Sequence, residues 1–354
     1  MSEQLPLTNE KHLKPVNARI LGIETSCDET AAAVVENGRQ ILSSVVASQI
    51  DLHAKFGGVF PEVASRQHIR TIYAVIEQAL TQAHLGLGDI DAIAVTRGPG
   101  LAGSLVVGMN TAKGLALGRN LPLIGVNHLE GHIYSAWAIP EETKLPAEPP
   151  SFPLMALLVS GGHTELNLMT DHLTYKRLGG TTDDAAGEAF DKVARLLSLP
   201  YPGGPSIQKV SVIGDPKAFT FPRARLEGTW DFSFSGIKTA VLRVVRKLEE
   251  DNQPLPIEDL AASFQAAVVD ILVSKTMDAA RKYQVHEIVV AGGVSANKSL
   301  RETFQNQSEF KVYIPPLSLC TDNAVMIAAA GYFHFIRGDR SALDMDVLPN
   351  WPLS

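Results

Sequence analysis

Apolar residues fall into short runs of four to seven positions that alternate with longer stretches of helical spacing. The short runs predict buried strands, and polar turns between the first three predict hairpins. In the first part of the chain, strands are predicted at 20–24, 31–35, 41–47, 90–96 and 123–126. Helices are predicted there at 63–83 and 127–138, and the turn 97–104 opens another helix that runs to about residue 118.

A segment with five prolines, residues 140–153, is the strongest break in composition. Proline-rich segments of this kind are typical of linkers. Beyond it, strands are predicted at 154–160, 165–169 and 286–291, and helices at 187–198, 235–248, 256–284, 295–305 and 322–336. The sequence therefore predicts a flexible extension at 1–17, domains at 18–140 and 154–340, a linker at 141–153 and a tail at 341–354.

Both predicted domains begin with a hairpin whose turn is polar or rich in glycine. The turn sequences are IETSCDET in the first half and VSGGHTEL in the second. Mixed strands and helices follow each hairpin, which indicates a duplication. We expect two α/β domains that face each other across a cleft.

Composition narrows the class of protein. The chain has 354 residues, of which 45% are apolar and 19% charged, so global disorder is excluded. Its two cysteines, Cys27 and Cys320, make no disulfide framework and favour a reducing compartment, the cytoplasm. Apolar runs are too short to span a bilayer, so no membrane association is expected.

The net charge of −7 excludes a globally basic nucleic-acid binder, but it leaves room for local basic patches. Two such clusters are present, and either could contact a phosphate backbone or form a solvated helix face. They comprise His53, Lys55, Arg66, His68 and Arg70, and Arg223, Arg225, Lys238, Arg243, Arg246 and Lys247.

A pair of histidines, His128 and His132, lies four residues apart on a predicted helix. Side chains at this spacing share one face, so both imidazoles can reach one metal ion. In a zinc peptidase the Glu follows the first His directly, whereas Glu130 stands two positions on and is predicted to point away from a metal. A polar pair on a helix surface is the alternative.

Asp322 stands at the start of the last predicted helix and is either a capping residue or a third metal ligand. Together, His128, His132 and Asp322 would form a His-His-carboxylate set with open positions. Such a set suits iron(II) or zinc.

Two glycine-rich segments are candidates for nucleotide contacts. Residues 158–164, LVSGGHT, form a strand and turn whose N–H groups could bind an anion. Residues 291–297, AGGVSAN, follow a strand and open a helix, where a nucleotide could lie. A plain hairpin turn and a helix cap made by Ser295 are the alternatives.

Acidic residues and small residues complete the set of candidates. Asp183 and Asp184 are expected to cap a helix start. The turn 202–205 is expected to line a pocket. The hairpin tip 24–30 is expected to hold a phosphate or to remain a polar turn. A stripe of small residues at four-residue spacing predicts close helix packing, either internal or with a partner subunit. It comprises Gly100, Ser104, Gly108, Ala112 and Ala116.

Ten motifs in order, spread over residues 20–331, resemble the tRNA adenosine threonylcarbamoyltransferase (TsaD-type) family, formerly described as O-sialoglycoprotein endopeptidases. The motifs are GIETSCDET, GGVFPEVASRQH, TRGPGLAGSL, HLEGH, LLVSGGHTEL, DDAAGEAFDK, YPGGP, FSFSGIKTA, AGGVSAN and CTDNAVMIA. The resemblance implies the actin-like ATPase fold of sugar kinases and heat-shock chaperones. It also implies transfer of a threonylcarbamoyl group from threonylcarbamoyl-AMP to N6 of the adenosine 3′ of the anticodon, in tRNAs reading codons that begin with A.

The resemblance also assigns roles to residues. His128, His132 and Asp322 match the family's metal ligands, with iron(II) expected first and zinc or magnesium as alternatives. The matching adenylate-binding positions are Leu158, Val159, Ser160, Gly161, Gly162, Asp191, Gly204 and Asn297. Apart from the resemblance, Glu29 and Asp28 are candidates for the base that takes the adenosine proton, because they are placed near the predicted cleft.

The expected partners are tRNA, threonylcarbamoyl-AMP, a paralogous TsaB-type subunit and a small TsaE-type ATPase, with a homodimer in the absence of these subunits. We expect the small-residue stripe to contribute to the paralogue contact. The competing hypotheses are a metal-dependent peptidase, a small-molecule kinase and a nucleotide-gated assembly factor without enzymatic activity.

Overall fold

The computed structural model describes residues 15–139 and 148–353. Most of the predicted N-terminal extension and residues 141–147 of the predicted linker lie outside the described residues. Within these ranges the chain forms two five-stranded mixed sheets with helices packed on both. The two-sheet α/β architecture that the sequence predicted is therefore confirmed.

The first sheet has the strand order β3-β2-β1-β4-β5. Its strands are β1 (Arg19–Glu24), β2 (Glu29–Glu36), β3 (Gln40–Ser48), β4 (Ala92–Gly98) and β5 (Leu123–Asn127). The first three are antiparallel, and β4 and β5 run parallel to β1. Four or more consecutive residues of β1, β2 and β4 are buried, because helices cover both faces.

The second sheet has the order β10-β9-β6-β7-β8, the same topology as the first. Its strands are β6 (Leu154–Val159), β7 (Thr164–Asp171), β8 (Thr174–Gly180), β9 (Glu287–Ala291) and β10 (Lys311–Tyr313). Again the first three are antiparallel and the other two are parallel. The repeat of strand order supports the duplication inferred from the two hairpins.

Ten α-helices connect and cover the sheets within the described ranges. They are α1 (Ile50–Ala54), α2 (Pro61–Gln82), α3 (Ala102–Arg119), α4 (His128–Tyr134), α5 (Ala186–Leu196), α6 (Gly203–Ser211), α7 (Ser235–Glu250), α8 (Ile257–Lys282), α9 (Lys298–Asn306) and α10 (Ala324–Arg337). Short 3₁₀ turns occupy Leu87–Asp89, Gly293–Ala296 and Leu317–Leu319.

Helices α4 and α10 lie between the two sheets. Their apolar side chains share one buried cluster with residues of both sheets, such as Ala94 in β4 and Ala156 in β6. The sequence placed α10 with the second half, but in the structure it packs against β1, β2 and β4 of the first. Gly22 of β1 permits this, because a Cβ there would collide with Ala328.

The small-residue stripe on α3 faces the interior of the first half. Ser104, Gly108, Ala112 and Ala116 are buried. The hydroxyl of Thr25 donates to the carbonyl of Ser104 (2.9 Å) and accepts from the N–H of Gly108 (3.2 Å). The stripe therefore serves internal packing, and the expectation that it contacts a partner subunit was wrong.

The predicted tail returns to the first half of the chain. Leu348 N donates to Arg97 O at 2.8 Å, and the side-chain amide of Asn127 donates to the carbonyls of Trp351 and Pro352 at 3.2 and 3.3 Å. Leu353 is buried. Among the described helices, none has the length and apolar character needed to cross a membrane.

Candidate metal and nucleotide site

A cavity of about 380 Å³ opens between the two halves, and most of the residues predicted to act there lie on its wall. The lining residues that the sequence singled out are Asp28, Glu29, Ser160, Gly161, Asp191, Gly204, Asn297 and Asp322. Segments far apart in sequence thus meet at one place.

The three predicted metal ligands converge beside this cavity. His128 and His132 project from the same face of α4, with ring centroids 4.7 Å apart. Asp322 Oδ1 lies 3.5 Å from His128 Nε2 and 3.2 Å from His132 Nε2. All three donor atoms lie within 4.8 Å of one another, a spacing that fits one metal ion.

A buried carboxylate orients the first of these histidines. Glu24 is fully buried at the end of β1, and its Oε2 lies 3.1 Å from His128 Nδ1. Thr96 Oγ1 donates to the same oxygen at 2.6 Å, and Glu24 also accepts from the N–H of Ser26. The bond to Nδ1 leaves His128 Nε2 free to face a metal, an arrangement common behind metal-binding histidines.

The electrostatics of the cluster also fit a cation. Burial opposes charge on His128, yet the carboxylates of Asp322 and Glu24 outweigh burial and raise its pKa. Burial lowers the pKa of His132. Burial alone would raise the pKa of Asp322, but the two histidines hold it below the ordinary value. Two imidazoles and one carboxylate form a donor set that suits iron(II) or zinc.

Glu130 points away from the metal ligands, as its spacing predicted. Its Oε1 accepts from the hydroxyl of Tyr175 at 2.8 Å, and its Oε2 pairs with His334 Nε2 at 2.6 Å. Both oxygens are thus engaged with β8 and α10. Glu130 cannot act as the base of a zinc peptidase from this position.

Part of the predicted anion-binding turn lines the cavity, and the rest does not. Leu158 and Val159 are buried in β6 and do not line the cavity, whereas Ser160 and Gly161 do. Gly162 is exposed beside Gly161. In the described part of the chain, neither glycine N–H donates to a protein acceptor, so both are available to an anion.

The predicted turn 202–205 contains the start of helix α6. Gly204 lies in the first turn of α6 and lines the cavity. Asp191, on α5, accepts from the N–H of Gly203 at 2.7 Å. Burial raises the pKa of Asp191. The carboxylate therefore fixes α5 to α6 at the cavity wall.

Asn297, and not Ser295, caps α9. Its Oδ1 accepts from Leu300 N at 3.0 Å, and its Nδ2 donates to Gln265 at 2.7 Å. Gly292 adopts a φ of +95°, and a Cβ there would collide with Val159 O. The expected cap was thus wrong by two positions, because a 3₁₀ turn comes before the helix.

Asp28 and Glu29 line the same cavity as Ser160 and Gly161 of the glycine turn. Burial raises the pKa of Asp28, and it raises that of Glu29 to about 7 against the opposing effect of a hydrogen bond from Ser48. Glu29 Oε1 accepts from Ser48 Oγ at 2.8 Å, while its buried Oε2 has no partner in the described residues. Such a carboxyl group can exchange a proton near neutral pH.

Other predicted polar residues have structural roles. Asp183 accepts from Ser233 and Ser235 at 2.6 Å each, which anchors the start of α7 rather than α5. Lys192 pairs with Asp184 at 2.6 Å and with Glu188 at 2.8 Å.

Some members of the two predicted basic clusters are buried or paired with acidic side chains, so each cluster exposes fewer basic residues than the sequence suggested. His53 and His68 are buried, which leaves Lys55, Arg66 and Arg70 exposed in the first. In the second, Arg223 pairs with Asp270 at 2.5 Å and Arg225 with Asp278 at 3.5 Å. Arg243, Arg246 and Lys247 of α7 remain exposed.

The roles of several residues of the site were not predicted from the sequence. Glu24 and Ser26 were expected only in the polar hairpin tip 24–30, and not as partners of His128. Tyr201 and Thr321 of the cavity wall lie in two of the quoted motifs, but no role was expected for either. Gln208 had no sequence signal, because it lies on α6, which was not predicted.

Solved structures share this fold at low sequence identity. HypF from T. kodakarensis has a TM-score of 0.61 and 14% identity over 92% of this chain and 50% of its own. Full-length HypF in a phosphate- and nucleotide-bound form has a TM-score of 0.57 and 15% identity over 92% of this chain and 56% of its own. The fold is the actin-like ATPase fold.

Curated relatives are much more similar in sequence, and each is named tRNA N6-adenosine threonylcarbamoyltransferase. The relative from Dehalococcoides mccartyi is 55% identical over 94% of this chain and 98% of its own. Those from Thermomicrobium roseum and Geobacillus kaustophilus are 54% and 52% identical, over 94% of this chain and 96% of theirs. The TsaD family model, with the same description, matches residues 40–329. The chain therefore belongs to the tRNA N6-adenosine threonylcarbamoyltransferase family.

Proposed function

We propose that this chain transfers the threonylcarbamoyl group from threonylcarbamoyl-AMP to N6 of the adenosine 3′ of the anticodon, in tRNAs reading codons that begin with A. One observation carries the proposal: the ligand set His128, His132 and Asp322 opens onto the same cavity as the glycine turn and the 293–297 segment. The names of the curated relatives support it.

The cavity offers a distinct position for each part of the adenylate. The 293–297 segment and Gly204 would hold the adenosine, and the N–H groups of Gly161 and Gly162 would bind the phosphate. His128, His132 and Asp322 would hold the metal, for which we propose iron(II) before zinc or magnesium. When bound, the ion would supply Lewis-acid stabilisation of phosphate and carbonyl oxygens.

In the reaction, N6 of adenosine forms a bond to the carbamoyl carbon. The bond from that carbon to the phosphate oxygen breaks, and AMP leaves with the electron pair. The attacking nitrogen must lose one proton. An adenine amine is a weak nucleophile, so the protein contributes mainly by orienting the two substrates.

We propose Glu29 as the group that takes this proton. Three observations fit a general base: Glu29 Oε2 has no hydrogen-bond partner among the described residues, the side chain lies on the cavity wall, and its pKa is about 7. Asp28 lies beside it, but its neighbour Cys27 donates a hydrogen bond to its carboxylate. Glu29 is therefore the stronger candidate of the two.

The proposal extends to partners and location. tRNA and threonylcarbamoyl-AMP are the substrates, and a TsaB-type subunit and a TsaE-type ATPase act with the chain in the cytoplasm. The exposed basic residues of α7 and the first basic cluster could contact the tRNA backbone. A homodimer in the absence of these subunits stays a prediction.

The decisive experiment is a transfer assay. The chain, with its proposed partners, is incubated with threonylcarbamoyl-AMP and unmodified tRNA, and the digested nucleosides are weighed by mass spectrometry. We expect threonylcarbamoyladenosine, and chelation of the metal should abolish it. Unchanged adenosine would contradict the proposal.

The Glu29→Gln variant tests the base within the same assay. We expect transfer to slow by about 10²- to 10⁴-fold while adenylate binding persists. Val212→Ala, which truncates an exposed side chain outside the cavity wall, is the matched control and should transfer normally. Full transfer by Glu29→Gln would exclude Glu29 as the base.

A further inference from the structure

Arg301 links two segments that line the cavity from different parts of the chain. We call residues 292–297 the nucleotide loop and residues 315–322 the ligand segment, since it ends in Asp322. Arg301 Nη1 donates to Ser295 O of the nucleotide loop at 3.2 Å and to Pro315 O of the ligand segment at 2.9 Å. One side chain therefore spans both.

Hydrogen bonding within the ligand segment joins its first residues to Cys320, two residues before Asp322. The single thiol hydrogen of Cys320 is shared between Pro315 O at 3.5 Å and Pro316 O at 3.4 Å. Arg301 Nη1 also lies 3.6 Å from Cys320 Sγ. Arg301 thus contacts the ligand segment at both its first residue and the position two before Asp322.

The middle of the nucleotide loop depends on the same arginine. Ser295 is fully buried, and its hydroxyl has no hydrogen-bond partner in the described ranges. Its N–H donates within the loop, to Gly292 O at 2.8 Å. The bond from Arg301 to Ser295 O therefore ties the middle of the loop to α9, whereas Asn297 ties the end of the loop to Gln265 of α8.

We propose that Arg301 is a positioning residue that couples occupancy of the nucleotide loop to the placement of Asp322 at the metal site. The inference rests on the proposed function, because it takes the loop to bind the adenosine of the adenylate. Coupling between two binding sites is reciprocal: metal binding tightens adenosine binding by the same factor as adenosine tightens metal binding.

The test uses adenosine and Co²⁺ with the full-length chain. Adenosine lacks the phosphate that would bridge to the metal, so coupling between the two ligands must run through the protein. We measure the adenosine Kd with and without Co²⁺, and the visible absorption of bound Co²⁺ with and without adenosine. The absorption reports the ligand geometry, including Asp322.

In the wild type we expect Co²⁺ to tighten adenosine binding about tenfold, within the usual range of allosteric coupling. Adenosine should also change the Co²⁺ absorption. In Arg301→Met the coupling factor should fall to about one, and the absorption should no longer respond to adenosine. A general loss of stability would not remove coupling between ligands that still bind.

Arg301→Lys is the second variant, in case Arg301→Met does not fold. Lysine keeps the charge but lacks the planar guanidinium that directs Nη1 at both carbonyls, so the coupling factor should fall to between one and the wild-type value. Arg340→Met is the matched control, since Arg340 Nη1 also donates to two carbonyls, Phe335 O and Asp339 O, outside the cavity wall. It should retain wild-type coupling.

Full coupling in both Arg301 variants, or no coupling in the wild type, would overturn the proposal. A wild type that binds no adenosine, with or without Co²⁺, would instead contradict the proposed function. The two failures are therefore distinguishable.

Discussion

Glu24 shows at the scale of one residue how a buried carboxylate prepares a histidine for a metal. Its bond to His128 Nδ1 fixes the ring and leaves Nε2 toward Asp322. Outer contacts of this kind usually contribute 10- to 100-fold to metal affinity. We predict that Glu24→Gln weakens Zn²⁺ binding by about that factor, measured by competition with a chelator.

Glu36→Gln is the control for this prediction. Glu36 stands at the end of the neighbouring strand and pairs with Arg19 at 2.9 Å on the surface. That pair has no contact with the metal ligands, so Zn²⁺ affinity should not change. Equal affinities in wild type and Glu24→Gln would show that Glu24 does not set the ligand geometry.

The raised pKa of Glu29 predicts how transfer depends on pH. A base must be deprotonated, and the Glu29 pKa of about 7 places its protonation in the neutral range. With saturating adenylate, the transfer rate should rise with pH through about 7 and then level off. Glu29→Gln should lose this inflection, and a wild-type rate that stays flat between pH 6 and 8 would contradict the assignment.

The raised pKa of Glu29 also predicts how folding stability depends on pH. The contribution of Glu29 to stability should fall as pH rises, whereas the transfer rate should increase. Burial disfavours the charged form, so the folded-state pKa exceeds the ordinary value of 4.5. The stability contribution of Glu29 is therefore complete below about pH 4.5 and is lost as pH rises through about 7. Glu29→Gln should unfold at higher urea than the wild type at pH 8, and this gain should shrink toward pH 5.

At the scale of elements, the sequence predicted those whose apolar pattern is unambiguous. Strand β6 is buried at all six positions, and α2 keeps its helical spacing over 22 residues. The sequence did not predict α6, whose first residues Gly-Gly-Pro are typical of a turn, or β8, whose first five residues are exposed or half-buried. Tertiary packing decides such elements, so no local pattern indicates them.

The packing of α3 leads to a prediction for Gly108. A Cβ at this position would lie less than 3.0 Å from Thr25 Oγ1, which bonds to the backbone of the same helix. We expect Gly108→Ala to destabilise the fold by about 1–3 kcal/mol, the usual cost of overpacking. Urea unfolding monitored by circular dichroism measures this change.

Gly114 on the same helix is the matched control. In the described ranges, no atom outside the helix lies within 4 Å of a Cβ at this position, so alanine would meet no steric clash. Because alanine has a higher helix propensity, Gly114→Ala should stabilise the protein by about 0.5–1 kcal/mol. Opposite signs for the two variants would support internal packing of the stripe; equal effects would refute it.

At the scale of the whole molecule, the site depends on parts of the chain that sequence patterns cannot bring together. The spacing of His128 and His132 indicated a metal pair, but Asp322 is almost 200 residues away. The assembly of the set follows from α10, which returns from the second sheet to pack on the first and places Asp322 opposite α4. Local sequence patterns identified each ligand separately, whereas the topology of the fold brings the three ligands together.

The position of α4 also depends on the last residues of the chain, because they contact the residue that caps this helix. Asn127 caps α4 through Oδ1, which accepts from Leu129 N at 2.9 Å, while its Nδ2 is held by the carbonyls of Trp351 and Pro352. His128 is the first residue of that helix. The carboxyl-terminal residues therefore support the start of the metal-binding helix.

We predict that deleting residues 350–354 lowers both stability and Zn²⁺ affinity. Loss of two hydrogen bonds and of buried Leu353 should cost about 3 kcal/mol, measured by urea unfolding. Trp351→Ala removes the ring that lies 5.6 Å from the guanidinium of Arg97 but keeps both carbonyls, so it should retain Zn²⁺ affinity. If the truncated chain bound Zn²⁺ as tightly as the wild type, the contact with Asn127 would have no part in positioning His128.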